Sequence, residues 1–115
     1  METAKLWKIR GKSSWDNISR GKYFNENPIW IRYFIEPQDK QVPVKLGFAI
    51  SKKYGNAVKR NRFKRRTREI VRELSRNNSF PNGIILLVGT AKKNEKEVTF
   101  NETKTCFLAF VSSLK

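Results

Sequence analysis

An α+β sandwich, in which a small mixed β-sheet carries about three helices, is the fold class predicted by three features of this 115-residue sequence. Two segments, Ile29–Ile35 and 46–51, alternate apolar and other residues with the period of a half-buried strand. A basic but amphipathic run over Ala57–Arg76 has helical period. It is followed by a continuous apolar run at 84–88, of the kind found in central strands covered on both faces. Strand, long helix and buried strand in succession form one βαβ unit, whose default hand is right-handed. The length fits one domain over 1–115, and neither a linker nor an internal repeat divides it.

The elements follow in order. Residues 1–10 read as a flexible basic tail. Ser13-Ser14-Trp15-Asp16 reads as a helix start, with a serine cap and an acid in the first turn, and the helix stops near Gly21. Asn25-Glu26-Asn27-Pro28 reads as a turn. In the strand that follows, Ile29, Ile31, Tyr33 and Ile35 share one face, and Trp30, Arg32 and Phe34 the other. After a turn at 37–40, Leu46, Phe48 and Ile50 lie opposite Gly47, Ala49 and Ser51. Tyr54-Gly55-Asn56 ends that strand and the long helix begins at Ala57. Pro81-Asn82-Gly83 is a loop before the 84–88 strand. Thr99 and Glu102 form a possible capping box for a last helix with the stripe Thr103, Phe107, Phe110 and Leu114, beside Cys106 and Val111.

Composition narrows the function. Lysine and arginine total 25 against 10 acids, a net charge of +15, while 14 aromatic residues supply material for a core. The single cysteine excludes an internal disulfide framework and, as a small apolar residue, reads as core. The N-terminus has no apolar signal segment and no run is long enough to span a bilayer, so a cytoplasmic protein without a membrane role is expected. With no histidine, the commonest general base and metal ligand are both missing, and the scattered carboxylates form no two-metal cluster. No catalytic residue and no metal ligand is assigned.

The charge concentrates between positions 52 and 76, where eleven basic residues face only Glu69 and Glu73. Seven of the eleven are arginine, whose planar fork suits phosphate and base edges. On the long helix, Phe63, Thr67, Ile70, Val71 and Leu74 form one side, and Lys64, Arg65, Arg68, Arg72 and Arg76 the other. Such a helix packs on a sheet and still presents a cationic ridge. Arg60 and Arg62 stand at its N-terminal end, where free N–H groups also favour phosphate. Asn56 and Asn61 add amides for sugar or base edges. Spacing does not distinguish DNA from RNA. A helix tied into a sheet, together with Trp30 and Phe34 as stacking surfaces, favours RNA. Packing under a neighbouring helix is the alternative for those two rings.

The stretch from Leu46 through Arg65, LGFAISKKYGNAVKRNRFKR, with its Gly-Asn-Ala-Val-x-Arg-Asn-Arg-x-Lys-Arg core at 55–65 and Arg68-Glu69 beyond, resembles the signature of the bacterial ribonuclease P protein subunit. The resemblance implies an RNA-binding cofactor of a catalytic RNA that removes the 5′ leader from precursor tRNA. The RNA carries the chemistry with bound Mg²⁺, one protein assembles per RNA, and the protein alone is inactive. It implies a left-handed βαβ crossover. Carried over residue by residue, Arg60, Asn61, Arg62, Lys64, Arg65 and Arg68 would contact the catalytic RNA, flanked by Lys52, Lys53 and Asn56. Trp15, Phe34, Ala49 and Ser51 would line a cleft for the precursor leader, between the first helix and the sheet.

This sequence departs from the pattern at three places. Ser19 stands where a second aromatic is usual, Gly21 comes early, and Gly89-Thr90 follows the 84–88 strand in place of Ala-Arg. Trp15 itself has two readings, a core anchor or a base-stacking platform. The rival functions are a ribosomal or other structural RNA-binding protein of similar fold, a DNA-binding helix-turn-helix protein, and a stand-alone nuclease. The second lacks its extra helix, because 46–51 alternates like a strand, and the third lacks an acid–base set.

Overall fold

The protein is described by a computed structural model covering residues 6–26, 28–90 and 97–114. The apolar run at its centre is a strand, Ile84–Thr90, two residues longer than the sequence predicts and buried along nearly its whole length. Numbered in chain order, the strands are β1 (Leu6–Lys8), β2 (Lys22–Glu26), β3 (Ile29–Ile35), β4 (Val44–Ile50) and β5 (Ile84–Thr90). The helices are α1 (Lys12–Ser19), α2 (Ala57–Arg76) and α3 (Phe100–Ser113), with a single 3-10 turn at Lys52–Tyr54. The sheet order is β1-β4-β5-β3-β2. β5 runs parallel to β4 and antiparallel to β3, which makes the sheet mixed.

Two elements differ from the sequence expectation at the N-terminal side. Residues 6–8 are strand rather than tail: β1 pairs in parallel with β4, placing Leu6 opposite Val44 and Lys8 opposite Leu46. The next residue, Ile9, is buried. Three residues with one apolar side chain turned inward give too short an alternation to register as a period. β2 was not expected either. It forms an antiparallel hairpin with β3, in which Tyr23 faces Arg32 and Asn25 faces Trp30. The turn residues Glu26 and Pro28 do stand at its end, with Asn27 outside the described residues. α1 starts one residue before Ser13, from Gly11 at a φ of 83°, without a side-chain cap or an acid in its first turn. Ser14 is instead buried against the sheet.

The two long helices match the sequence reading. Asn56 caps α2, its side chain accepting from the Lys59 N–H at 3.0 Å. Thr99 and Glu102 close a reciprocal capping box on α3. α2 buries Phe63, Thr67, Ile70, Val71 and Leu74, and α3 buries Thr103, Cys106, Phe107, Phe110 and Val111. Both pack on the sheet face formed by Ile29, Ile31, Leu46, Ile84, Leu86 and Val88, building the main core. Among the described residues, the opposite face carries only α1 and a cluster of Ile9, Ile18 and Ile85, with Phe34 and Leu87 packed beside it. Gly83 holds the turn into β5 at a φ of 86°, and its carbonyl accepts from Glu36 N–H at 2.9 Å.

Candidate nucleic-acid interface

The sealed apolar face of α2 decides what its other side can do. With Phe63 and Val71 wholly buried, the helix cannot roll, so its cations are held outward. Arg65 and Asn61 are exposed, and Arg60, Lys64, Arg68 and Arg72 are partly so. Lys52 and Lys53 are exposed on the 3-10 turn just before the helix. Lys64 and Arg68 also lie over the Phe48 ring of β4, with Nζ 5.9 Å and Cζ 5.5 Å from its centroid. Stems laid along an aromatic ring leave the charged heads less free to move, which reduces the ordering cost of binding an anion.

Not every expected contact residue is equally available. Arg62 Nη1 donates to Glu97 Oε2 at 2.6 Å, and Arg66 Nη1 donates to the Val98 carbonyl at 3.1 Å. Val98 N–H in turn donates to the buried Tyr54 Oη at 2.9 Å. Burial pushes the Tyr54 hydroxyl above its ordinary value, while the Val98 hydrogen bond opposes that shift. Arg62 and Arg66 therefore tie the approach to α3 onto α2. Arg62–Glu97 is the one ion pair made by α2 among the described residues. The Asn56 side-chain oxygen is occupied by its cap, leaving the amide N–H₂. Ser51, expected in the cleft, lies just past β4, and its hydroxyl accepts from Lys53 N–H at 3.1 Å to start the 3-10 turn.

On the opposite face the sheet is open where α1 ends. Its residues there are small: Ala49 on β4 is exposed, while Gly47 on β4 lies beneath Ile9 and Gly89 on β5 is buried beneath Trp30. Gly89 pairs with both Ala49 and Trp30. A Cβ at Gly89 would lie 2.2 Å from Trp30 Cζ2, so the missing side chain is what lets the indole lie across β5. Trp30 stacks on Tyr23 at 5.9 Å with a 22° tilt. Arg32 lies over Tyr23 at 5.8 Å while donating to the Ser19 carbonyl of α1 at 3.0 Å. Tyr23 escaped the sequence reading because β2 did, and its only signal was alternation with Phe24 across a five-residue strand. Trp15 stands on α1, 44% exposed, whereas Phe34 is half-buried against the small cluster beneath that helix.

A carboxylate adds to the Ile18 packing and the Arg32 hydrogen bond that hold α1 over this face. Glu36 accepts from Asn17 Nδ2 at 2.7 Å, from Ser14 Oγ at 3.4 Å and from Lys45 Nζ at 3.2 Å. Burial alone would raise its pKa, but these hydrogen bonds and the Lys45 charge outweigh it and hold the carboxyl below its ordinary value. Among the described residues, no group of three or more His, Cys, Asp or Glu side chains is gathered as metal ligands. Nor is any described helix long and apolar enough to cross a membrane.

A sheet sealed on one face by a helix with an outward cationic ridge, and open on the other with aromatic rings and small residues, defines a basic α+β domain suited to a polyanion with unpaired bases. The chain belongs to the family described as Ribonuclease P, whose sequence pattern matches residues 4–115. It is 37% identical over 90 residues to the ribonuclease P protein component of Finegoldia magna, covering 77% of this chain and 73% of that one. It is 32% identical over 106 residues to the corresponding protein of Phytoplasma australiense, covering 92% and 89%. The fold is similar to that of the Staphylococcus aureus RNase P protein, with a TM-score of 0.71, 21% identity and coverage of 96% and 97%. For the Thermotoga maritima RNase P protein the TM-score is 0.69 at 23% identity, covering 90% and 93%. The family is that of a ribonucleoprotein subunit that serves tRNA processing.

Proposed function

We propose that the protein binds the catalytic RNA of ribonuclease P through α2 and holds the single-stranded leader of precursor tRNA on the open face of its sheet. Arg60, Asn61, Lys64, Arg65 and Arg68 are the central contacts, flanked by Lys52, Lys53, Asn56 and Arg62. Trp15, Phe34, Ala49 and Ser51 border the leader site, and Trp30 forms its floor. One protein acts per RNA, in the cytoplasm. The RNA holds the Mg²⁺ and performs the cleavage, while the protein contributes charge and shape. The observation that carries this reading is the outward cation row of α2, which has Glu97 as its single ion-pair partner among the described residues. Such a row repels itself unless an external polyanion neutralises it.

The test uses RNA-free protein, the ribonuclease P RNA transcribed in vitro, and precursor tRNA with Mg²⁺. Neutral replacement of Arg60, Lys64, Arg65 and Arg68 together should weaken binding to the RNA. Each lost phosphate contact should lower the log–log salt slope by roughly 0.7 to 0.9. Four changes at Lys12, Lys22, Lys40 and Lys104 are the control. Equal losses from both sets would mean a diffuse electrostatic surface, and correct 5′ processing by the RNA-free protein alone would overturn the division of labour.

A further inference from the structure

The outer edge of β4 is covered by β1 only as far as Leu46. Beyond it, residues 47–50 have no strand partner on that side among the described residues. A cavity of about 650 Å³ lies at this edge. Its lining includes Trp7 from β1, Trp15 from α1, Phe48 from β4, and Lys64, Arg68 and Arg72 from α2. The two indoles are 47% and 44% exposed. Indoles left half in water beside three cations provide both halves of nucleotide recognition, a π-face for a base and charge for its phosphate. The cavity also joins the two surfaces already described. Gly47 belongs to it and to the open sheet face, and Lys64 and Arg68 belong to it and to the α2 ridge.

We propose that this cavity is a nucleotide site for the precursor leader, in which Trp7 and Trp15 hold one unpaired base while Lys64, Arg68 and Arg72 hold its phosphate. A strand lying on the open face passes over the β4 edge at this point before it reaches the α2 cations. At this edge the space over Gly47 is filled by the buried Ile9, whose Cδ1 lies 2.9 Å from where a Cβ would stand, so Ile9 and Gly47 together form a low apolar wall of the cavity. The two residues this adds to the interface are Trp7 and Arg72. The inference rests on the function proposed above, which the wild-type protein tests independently.

The experiment compares precursor tRNA with leaderless tRNA on the ribonucleoprotein assembled from full-length protein and its RNA. Trp7→Ala should weaken precursor binding about tenfold and leave leaderless binding unchanged, as expected for one lost base–aromatic stack. Trp7→Phe keeps a ring and should recover most of that loss. Arg72→Gln, at a position that needs no ring, should also weaken the precursor alone and flatten its salt dependence. Unchanged precursor affinity in Trp7→Ala and Arg72→Gln overturns the site. Equal loss for both tRNAs overturns the assignment to the leader. If Trp7→Ala lowers the melting temperature, Trp7→Phe and Arg72→Gln decide the matter in its place. A wild-type protein that fails to bind the RNA refutes the underlying function rather than the cavity.

Discussion

The two faces of the sheet are made from the same strands and do opposite work. One is covered by α2 and α3 and buries a continuous core in which Phe63, Phe107 and Phe110 have no exposed surface. The other has, among the described residues, α1 as its one helix, three buried apolar residues, and an exposed Ala49 between glycines covered by Ile9 and Trp30. Within β5, Leu86 and Val88 serve the first face while Leu87 and Gly89 serve the second. Stability is thus concentrated on the face that keeps α2 rigid, and the binding surfaces are left with side chains whose removal the fold can tolerate.

The largest expected effect follows directly. Phe110 meets the rings of Phe24, Tyr33, Phe80 and Phe107, with centroids between 5.0 and 6.5 Å away. Phe110→Ala should cost about 3–5 kcal/mol in denaturant unfolding, the usual range for emptying a buried aromatic site. Trp30→Ala on the open face should cost less than half of that and instead weaken leader binding. A Trp30→Ala loss as large as that of Phe110→Ala would break the division between the faces.

A middle-sized effect sharpens it. Gly89→Ala puts a methyl group 2.2 Å from Trp30 Cζ2 and 2.6 Å from the Ala49 carbonyl oxygen. Something must shift, at about 1–3 kcal/mol, and the indole is the more movable neighbour. Combining the change with Trp30→Ala should recover part of the cost, since the ring contact disappears and the backbone contact stays. A double-mutant cycle measures that recovery. Strict additivity would mean that Gly89 is needed for reasons other than the position of Trp30.

The same contrast explains what was legible in the sequence. The sealed face announces itself by period: Ile29, Ile31 and Tyr33 in β3, and Phe63, Ile70, Val71 and Leu74 in α2, fall where alternation and helical spacing place them. The cationic ridge follows, because whatever is not on the buried side of α2 must face out. The open face has no such signal. Gly47, Ala49 and Gly89 carry no hydropathy, and what matters about them is the space they leave. β1 and β2 are short edge strands, each with a single apolar side chain, Leu6 or Phe24, packed on the core, too few to show a period. With them, Trp7 and Tyr23 stayed hidden as exposed aromatic surface. The Arg62–Glu97 pair joins residues 35 positions apart, which no local pattern reveals.

The smallest expected effect concerns the node that holds α1 over the open face. Glu36 binds Ser14, Asn17 and Lys45 as a carboxylate, and its pKa in the folded protein lies below its ordinary value of 4.5. A group with a depressed folded pKa stabilises the fold fully above its unfolded pKa. That contribution is lost as the pH falls from about 4.5 through the depressed value. Glu36→Gln keeps an acceptor oxygen but loses the charge, so it should cost about 1–2 kcal/mol at pH 7, toward the low end of what hydrogen bonds to a charged group contribute, and less under acid conditions. Urea unfolding of both proteins between pH 7 and pH 3 measures this, and the two stability curves should converge as the pH falls. Curves that stay parallel would show that Glu36 does not hold the helix through its charge. Because α1 forms one wall of the proposed leader site, the variant should also bind precursor tRNA more weakly at pH 7 while binding the catalytic RNA normally. Loss of both affinities together would mean that the two faces are coupled through the sheet and that the separation drawn between them is too sharp.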